Sequence, residues 1–304
     1  MKPPIFILGC PRSGTTLLAS LLAPTEYGSP IETHFITKYY KRLHKYGSLQ
    51  EEGNFCRLVK DISQERPVMQ WKLSFDAKQL FREMDTVDYR KIVNAICRKM
   101  AEMRGLQSWG DKTPSYILDL NIIYQLFPNS KYVYIVRDGR DVALSLLEKP
   151  WGPNNVFSCA HYWKVCNASH VLFEQLDTEQ RLYCLRYEDL LRNPDRIVSE
   201  LYEFLGGSEK LGAVGQLLNR IKKDNSLKWK TAMSAYQVRL FEYVAADTLK
   251  RFGYETSYPQ KGIGKGPETL WLLHDAIVRM RFLLKHNTVD TIKIKFFGKE
   301  PFAE

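Results

Sequence analysis

The sequence predicts an α/β fold, with a central parallel sheet flanked by helices and a helical C-terminal part. Three observations carry this prediction. Short apolar or β-branched runs alternate with longer amphipathic ones along most of the chain, the pattern of a parallel sheet covered by helices on both faces. The apolar run over residues 4–9 passes through a Gly/Pro/Ser turn straight into an apolar helical pattern. Residues 131–136, β-branched and aromatic, are likewise followed at once by a helical pattern.

Taken in order, residues 4–9 read as the first strand and 14–23 as the first helix. Residues 68–73, Val-Met-Gln-Trp-Lys-Leu, are a second strand candidate. Residues 87–104 place Ile92, Ile96, Met100 and Met103 on one helical stripe. A short strand at 107–110 leads into Asp111-Lys112-Thr113-Pro114, and a helix follows to Phe127. After the strand at 131–136 come helices at 139–148 and about 158–176, then a strand at 182–185. Beyond residue 190 the pattern is almost all helical. No repeat or low-complexity linker interrupts the chain, so one domain over 1–304 is expected, with its core at about 4–255. A C-terminal helix and a basic, strand-like tail occupy 266–304. Leu270, Leu273, Ile277 and Met280 mark that helix as amphipathic, and residues 291–297 alternate apolar with lysine. Two readings stay open for this segment: a docked helix with an edge strand guarded by lysines, or a contact with a second subunit or a membrane surface. A homo-oligomer would use the latter.

The 304 residues are 44% hydrophobic and 26% charged, with a net charge of +10. The excess is either a solvated basic surface or a match to an anionic ligand. Lysines and arginines are spread along the chain, without interleaved aromatic motifs, so nucleic acid is not an expected partner. None of the six cysteines forms a C-x-x-C pair, which argues against zinc and against a disulfide framework. Buried, reduced thiols in a reducing compartment are expected. The first strand begins almost at the opening methionine, leaving no room for a signal peptide. No apolar run reaches membrane-span length. The expectation is a cytoplasmic protein without an integral membrane segment.

The first loop carries the clearest chemistry. Gly9-x-x-x-x-Gly14-x-Thr16 has the spacing of a phosphate loop, which makes the domain P-loop-like, but Thr15 stands where a lysine is expected. Backbone N–H groups converge there at a helix start. Strand 131–136 ends in Arg137-Asp138-Gly139-Arg140-Asp141, with Ser145 on the helix that follows. Ligands of parallel sheets gather at the carboxyl ends of strands. Arg137 and Ser145 could therefore hold a second phosphate, the guanidinium as a fork and the hydroxyl as a donor. The alternative is an Arg137 paired with Asp138 or Asp141.

Pro11-Arg12-Ser13-Gly14-Thr15-Thr16, with Arg137, Ser145 and Tyr187 in Leu185-Arg186-Tyr187-Glu188-Asp189-Leu190, resembles the sulfotransferase family, from about residue 4 to 255. Gly110-Asp111-Lys112-Thr113-Pro114, Leu126-Phe127-Pro128-Asn129-Ser130-Lys131 and Val136-Arg137-Asp138-Gly139-Arg140 are similar to its tyrosylprotein and bacterial carbohydrate-type branch. The resemblance implies 3′-phosphoadenosine 5′-phosphosulfate (PAPS) as sulfuryl donor, with PAP as product and no metal. It implies Arg12, Ser13, Gly14, Thr15 and Thr16 around the 5′-phosphosulfate, Arg137 and Ser145 on the 3′-phosphate, and Tyr187 on the nucleotide. Ser226 and Lys230 are candidates for a basic segment over the nucleotide; a solvated basic turn is the alternative.

The chain departs from the cytosolic aryl and steroid enzymes of that family. Arg12 replaces their loop lysine, and Pro114 stands where their catalytic histidine follows Lys112-Thr113. By resemblance the general base is Glu32, with His34 as second candidate; an ordinary surface carboxylate and a structural histidine are the alternatives. Partial burial of Glu32 is expected to raise its pKa. Arg12 and Lys112 are expected to stabilise charge on the leaving group. A P-loop kinase, or a non-catalytic nucleotide-binding protein, are the competing functions. The acceptor is a hydroxyl compound of unspecified kind, a small molecule, carbohydrate or tyrosine, framed by residues 35–66 and 150–157. Trp71, Tyr116 and Trp151 are candidates to stack on it or to pack in the core.

Overall fold

The computed structural model describes residues 2–207, 214–219, 221, 224–258, 268–278 and 280, without the side chains of His170, Val171 and Gln216. They form two compact units, each made of separated stretches: Met1–Val136 with Ser169–Asp224, and Arg137–Ala168 with Asn225–Glu304.

The first unit holds a four-stranded sheet of order β2-β1-β3-β4, with β1 at Ile5–Leu8, β2 at Gly110–Asp111, β3 at Lys131–Val136 and β4 at Leu182–Arg186. Every pairing is parallel, with Ile5 opposite both Gly110 and Lys131 and Tyr132 opposite Leu182. A parallel strand buried on both faces reads as a continuous apolar run, and β1 does. Ile5, Ile7, Val133 and Ile135 share one core with Leu18, Leu21, Leu190, Val198 and Leu201, from the helices that follow β1 and β4. On the opposite face the Phe6 ring meets Trp109 edge-on at 5.7 Å and Phe127 at 5.5 Å, and Tyr134 meets Phe173 at 4.5 Å. Helices therefore flank the sheet on both sides, as the alternation predicts.

The edge beyond β2 is extended by one short segment. Ile31 forms a parallel bridge with Asp111, and the Lys112 N–H donates to the Ile31 carbonyl at 2.8 Å. This pairing sets Glu32 and Lys112 side by side.

Three elements differ from expectation. Residues 68–73 are not a strand: Arg66–Gln70 is helical, with proline in its first turn. Proline fixes a helical φ there and lacks an N–H that the first turn leaves unused. The strand expected at 107–110 is only Gly110–Asp111. The helix expected at 158–176 is two, Val156–Cys166 and His170–Thr178, interrupted at Asn167–Ser169 where one unit gives way to the other. None of the six cysteines is in a disulfide. Cys10, Cys97, Cys159 and Cys166 are buried as expected, whereas Cys56 is half-buried and Cys184 is exposed on β4.

The second unit is built from Gly139–Leu147, Val156–Cys166 and Ala235–Arg251. A Cβ at Gly139 would stand 2.5 Å from the Phe241 ring and 2.6 Å from that of Trp163, so only glycine admits this approach. Arg140 is buried between two carboxylates. It binds Asp138 in a fork at 3.0 and 2.8 Å and Glu242 at 2.7 Å, and its guanidinium lies 3.6 Å from the Trp229 ring centroid. Residues 268–278 are helical. Asp275 accepts from the backbone and side chain of Asn154, both at 2.9 Å, while Leu270, Leu273, Ile277 and Met280 are exposed. The strand-like tail expected at 291–297 lies outside the described residues. Among those residues no helix is long and apolar enough to cross a membrane.

Candidate active site

The loop after β1 is shaped by backbone that side chains fit poorly. Ser13 N–H closes a turn on the Cys10 carbonyl at 3.0 Å, with Arg12 at φ 75° and Gly14 at φ 98°. A Cβ on Gly9 would stand 2.6 Å from the Ile135 carbonyl, and one on Gly14 would stand 2.5 Å from the Tyr187 ring. Leu18 N–H then reaches the Gly14 carbonyl at 3.0 Å and the helix Thr15–Leu21 begins. Ser13 is fully buried, and its hydroxyl has no hydrogen-bond partner among the described residues. Thr15 is buried; the side chains of Arg12 and Thr16 are exposed.

Glu32 stands next to this loop in a charged cluster. One carboxylate oxygen accepts from Lys112 Nζ, and the other lies 2.7 Å from His34 Nε2. The Lys112 ammonium also comes within 3.5 Å of the Thr16 hydroxyl. The sequence-predicted Glu32, His34, Lys112 and Thr16 are thus brought together. The hydrogen bond from His34, and then Lys112, outweigh partial burial and lower the Glu32 pKa to about 2. The expectation of a raised value is therefore corrected: burial acts in that direction but loses to two donors.

Sequence reasoning missed the carboxylate behind the pair. Asp111 is buried and accepts from the Thr33 hydroxyl at 2.7 Å and the Thr33 N–H at 3.1 Å. It also accepts from the Thr113 N–H at 2.7 Å and the Thr113 hydroxyl at 2.9 Å. Burial raises its pKa to about 6, with the threonine hydrogen bonds opposing. The only sequence signal was its place in the Asp-Lys-Thr-Pro string. Tyr116, a stacking candidate, is buried with its hydroxyl on Thr33; Trp71 is half-buried and Trp151 exposed.

In the second unit Arg137 donates to the Asn225 carbonyl at 3.1 Å and lies 3.5 Å from Asp141. Asp141 also accepts the N–H groups of Leu227 at 2.7 Å and Trp229 at 2.9 Å. Of the two carboxylates weighed as partners of Arg137, Asp141 lies within ion-pair distance, and Asp138 is bound in a fork by Arg140. Ser145 lies four residues beyond Asp141 on Gly139–Leu147, hence on the same helix face, and is half-buried. Ser226 belongs to the segment that Asp141 holds. Lys230 is exposed, its ammonium 5.9 Å from the Trp229 ring centroid.

The sequence model of the sulfotransferase family matches residues 3–209. The chain belongs to the sulfotransferase family. It is 24% identical over 301 residues to protein-tyrosine sulfotransferase A of Caenorhabditis elegans, covering 88% of this chain and 71% of that protein. It is 24% identical over 318 residues to the omega-hydroxy-beta-dihydromenaquinone-9 sulfotransferase Stf3 of Mycobacterium tuberculosis, covering 85% and 77%. The sulfotransferase domain from the curacin biosynthetic pathway superposes with a TM-score of 0.55 at 21% identity, over 84% of this chain and 99% of that one. The likeness extends to the fold: a P-loop-like α/β domain.

Proposed function

We propose that this sulfotransferase moves the sulfuryl group of PAPS to a hydroxyl acceptor, with Glu32 as general base and without a metal. The observation that carries the reading is Glu32 paired with Lys112, whose ammonium reaches Thr16 on the first loop. A carboxylate for the acceptor proton and a cation for the leaving group stand side by side at an anion cradle. The cradle fits the donor's phosphosulfate end: the Ser13 hydroxyl is buried without a partner among the described residues, and the loop leaves no space for a Cβ at Gly9 or Gly14.

The 5′-phosphate would be held by backbone N–H groups of residues 12–16 and the hydroxyls of Ser13, Thr15 and Thr16. Arg137 and Ser145 would hold the 3′-phosphate, and Tyr187, Ser226 and Lys230 the rest of the nucleotide. When bound, PAPS supplies an activated sulfuryl group on a phosphate leaving group. Arg12 and Lys112 would stabilise the charge that grows on its leaving group. Lys112 is shared between Glu32 and the cradle. As its ammonium engages the leaving group, Glu32 loses a donor and gains basicity, which couples removal of the acceptor proton to transfer. His34 keeps the carboxylate oriented. The acceptor class is a hydroxyl on a small molecule, a carbohydrate or a tyrosine; the two relatives above are named for tyrosine and for a hydroxylated menaquinone.

The test is transfer of label from 35S-PAPS to a panel of tyrosine peptides, glycans and alkyl alcohols. Labelled product is expected from wild-type protein in the presence of EDTA. Glu32→Gln should keep PAPS binding and lose roughly two to three decades of turnover, a loss of the size seen for general acid–base groups. Wild-type turnover in Glu32→Gln would remove it as base, and phosphoryl transfer from ATP in place of sulfuryl transfer would overturn the reading.

A further inference from the structure

We infer that Asp111, acting through Thr33 and Tyr116, is a positioning residue that fixes how Glu32 and Lys112 face each other. The inference rests on the proposed function, in which that pair carries the chemistry. Along the paired backbones at the β2 edge, Asp111 and Thr33 meet on one side, buried. Their neighbours Lys112 and Glu32 meet on the other. The two pairs are the front and back of a single register.

On the buried side the hydrogen bonds run in one direction. An ionised carboxylate only accepts, and four donors converge on Asp111, two from Thr33 and two from Thr113. The single hydroxyl proton of Thr33 is committed to Asp111. The 2.8 Å contact between Thr33 and Tyr116 must then carry the Tyr116 proton, and the Tyr116 oxygen in turn accepts the Ile36 N–H at 2.9 Å. The chain runs from the helix Phe35–Tyr40 through Tyr116 and Thr33 to Asp111. It pins the backbone immediately after Glu32, while the Lys112 N–H pins the carbonyl immediately before it. Glu32 is thus held from both sides, although its own side chain is half-exposed.

The titratable groups facing Asp111 are the Cys97 thiol of the helix Tyr89–Met103 and the Tyr116 phenol, both kept neutral by burial beside it. Among the described residues no ion pair reaches Asp111. The nearby basic side chains, Lys112 and His34, engage Glu32 instead. Protonating Asp111 would add a hydrogen to a site already filled by donors and loosen the chain. Because burial raises its pKa to about 6, turnover should fall with a midpoint near pH 6, well above the titration of Glu32 itself.

The experiment compares wild type, Thr33→Val, Thr33→Ser, Asp111→Asn and His34→Gln. Steady-state kinetics use PAPS and the acceptor selected by the panel above, and amide hydrogen exchange is followed over residues 31–36. Thr33→Val should lower kcat about 10- to 100-fold, the scale of a slight misplacement of reacting groups. The KM for PAPS should stay within about twofold, a fall of kcat alone being the mark of a transition-state effect. Thr33→Ser, which restores the hydroxyl, should recover most of the rate. Asp111→Asn should be slow at every pH and lose the limb near pH 6, while that limb should persist in His34→Gln. A Thr33→Val rate equal to wild type, a loss lying wholly in KM, or a Thr33→Ser no better than Thr33→Val overturns the inference. If wild type moves no sulfuryl group, the proposed function fails, and amide exchange still decides the network. Exchange that is faster in Thr33→Val and restored in Thr33→Ser upholds it, and unchanged exchange overturns it.

Discussion

At the scale of residues, two carboxylates one register apart are tuned in opposite directions. Glu32 is held below its ordinary range by His34 and Lys112, and Asp111 is held above it by burial. The consequences for stability have opposite signs. The pairing of Glu32 stabilises the fold fully above its unfolded pKa near 4.5, and that contribution is lost as pH falls toward about 2. Charged Asp111 costs stability, in full above about pH 6, and the cost fades as pH falls toward its unfolded value near 3.8. The difference in urea midpoint between wild type and Glu32→Gln should therefore narrow between pH 6 and pH 3.5; a difference that widens would contradict the pairing. Lys112→Ala removes the cation beside the cradle and should cost about 3–4 kcal/mol of barrier, read as a drop in kcat/KM. Lys112 and Glu32 were legible in the sequence as candidates, from a resemblance alone. Their tuning was not, because it depends on the register of residues 31–33 against β2, and no local pattern announces a single isolated bridge.

At the scale of elements, β1 and β3 were legible because buried parallel strands are continuous apolar runs bounded by turns, and β4, an edge strand with only Leu185 buried, was legible from its apolar composition after a helix. Residues 68–73 share that composition, yet residues 68–70 close the short helix Arg66–Gln70, with Met69 exposed and Val68 buried. A short apolar run is ambiguous between strand and helix, and the proline that opens Arg66–Gln70 was the overlooked cue. Asp141 was visible as a partner of Arg137, but not as the anchor of residues 225–229, which it holds through two backbone N–H groups. Close packing makes one element specially sensitive. Gly139 starts its helix against the rings of Trp163 and Phe241. Gly139→Ala should destabilise the protein by about 1–3 kcal/mol through overpacking, measured as a lower urea midpoint. An unchanged midpoint would mean that the rings move aside without cost.

At the scale of the whole molecule, the net charge of +10 and the chemistry of a highly anionic donor point the same way. Raising ionic strength from about 0.01 to about 0.15 M shortens the screening length from roughly 30 to 8 Å. The KM for PAPS should rise across that range with a smaller change in kcat, measured in steady-state assays. A KM indifferent to salt would assign the basic excess to another partner. The division into two units was not legible. Each unit gathers stretches from separate parts of the chain, so no linker marks a boundary, and the break at Asn167–Ser169 falls inside what reads as one apolar helix.

The contact between Gly14 and Tyr187 has a consequence for variation. The two positions, far apart in the chain, divide one small volume, in which the ring begins where a methyl group would end. What position 14 can hold depends on what stands at 187. Enlarging Gly14 should be tolerated only together with a slimmer residue at 187, so that Gly14→Ala with Tyr187→Leu loses less stability than the sum of the two single changes. The part of the shortfall that remains measures the left-handed backbone at Gly14, which no neighbour can relieve.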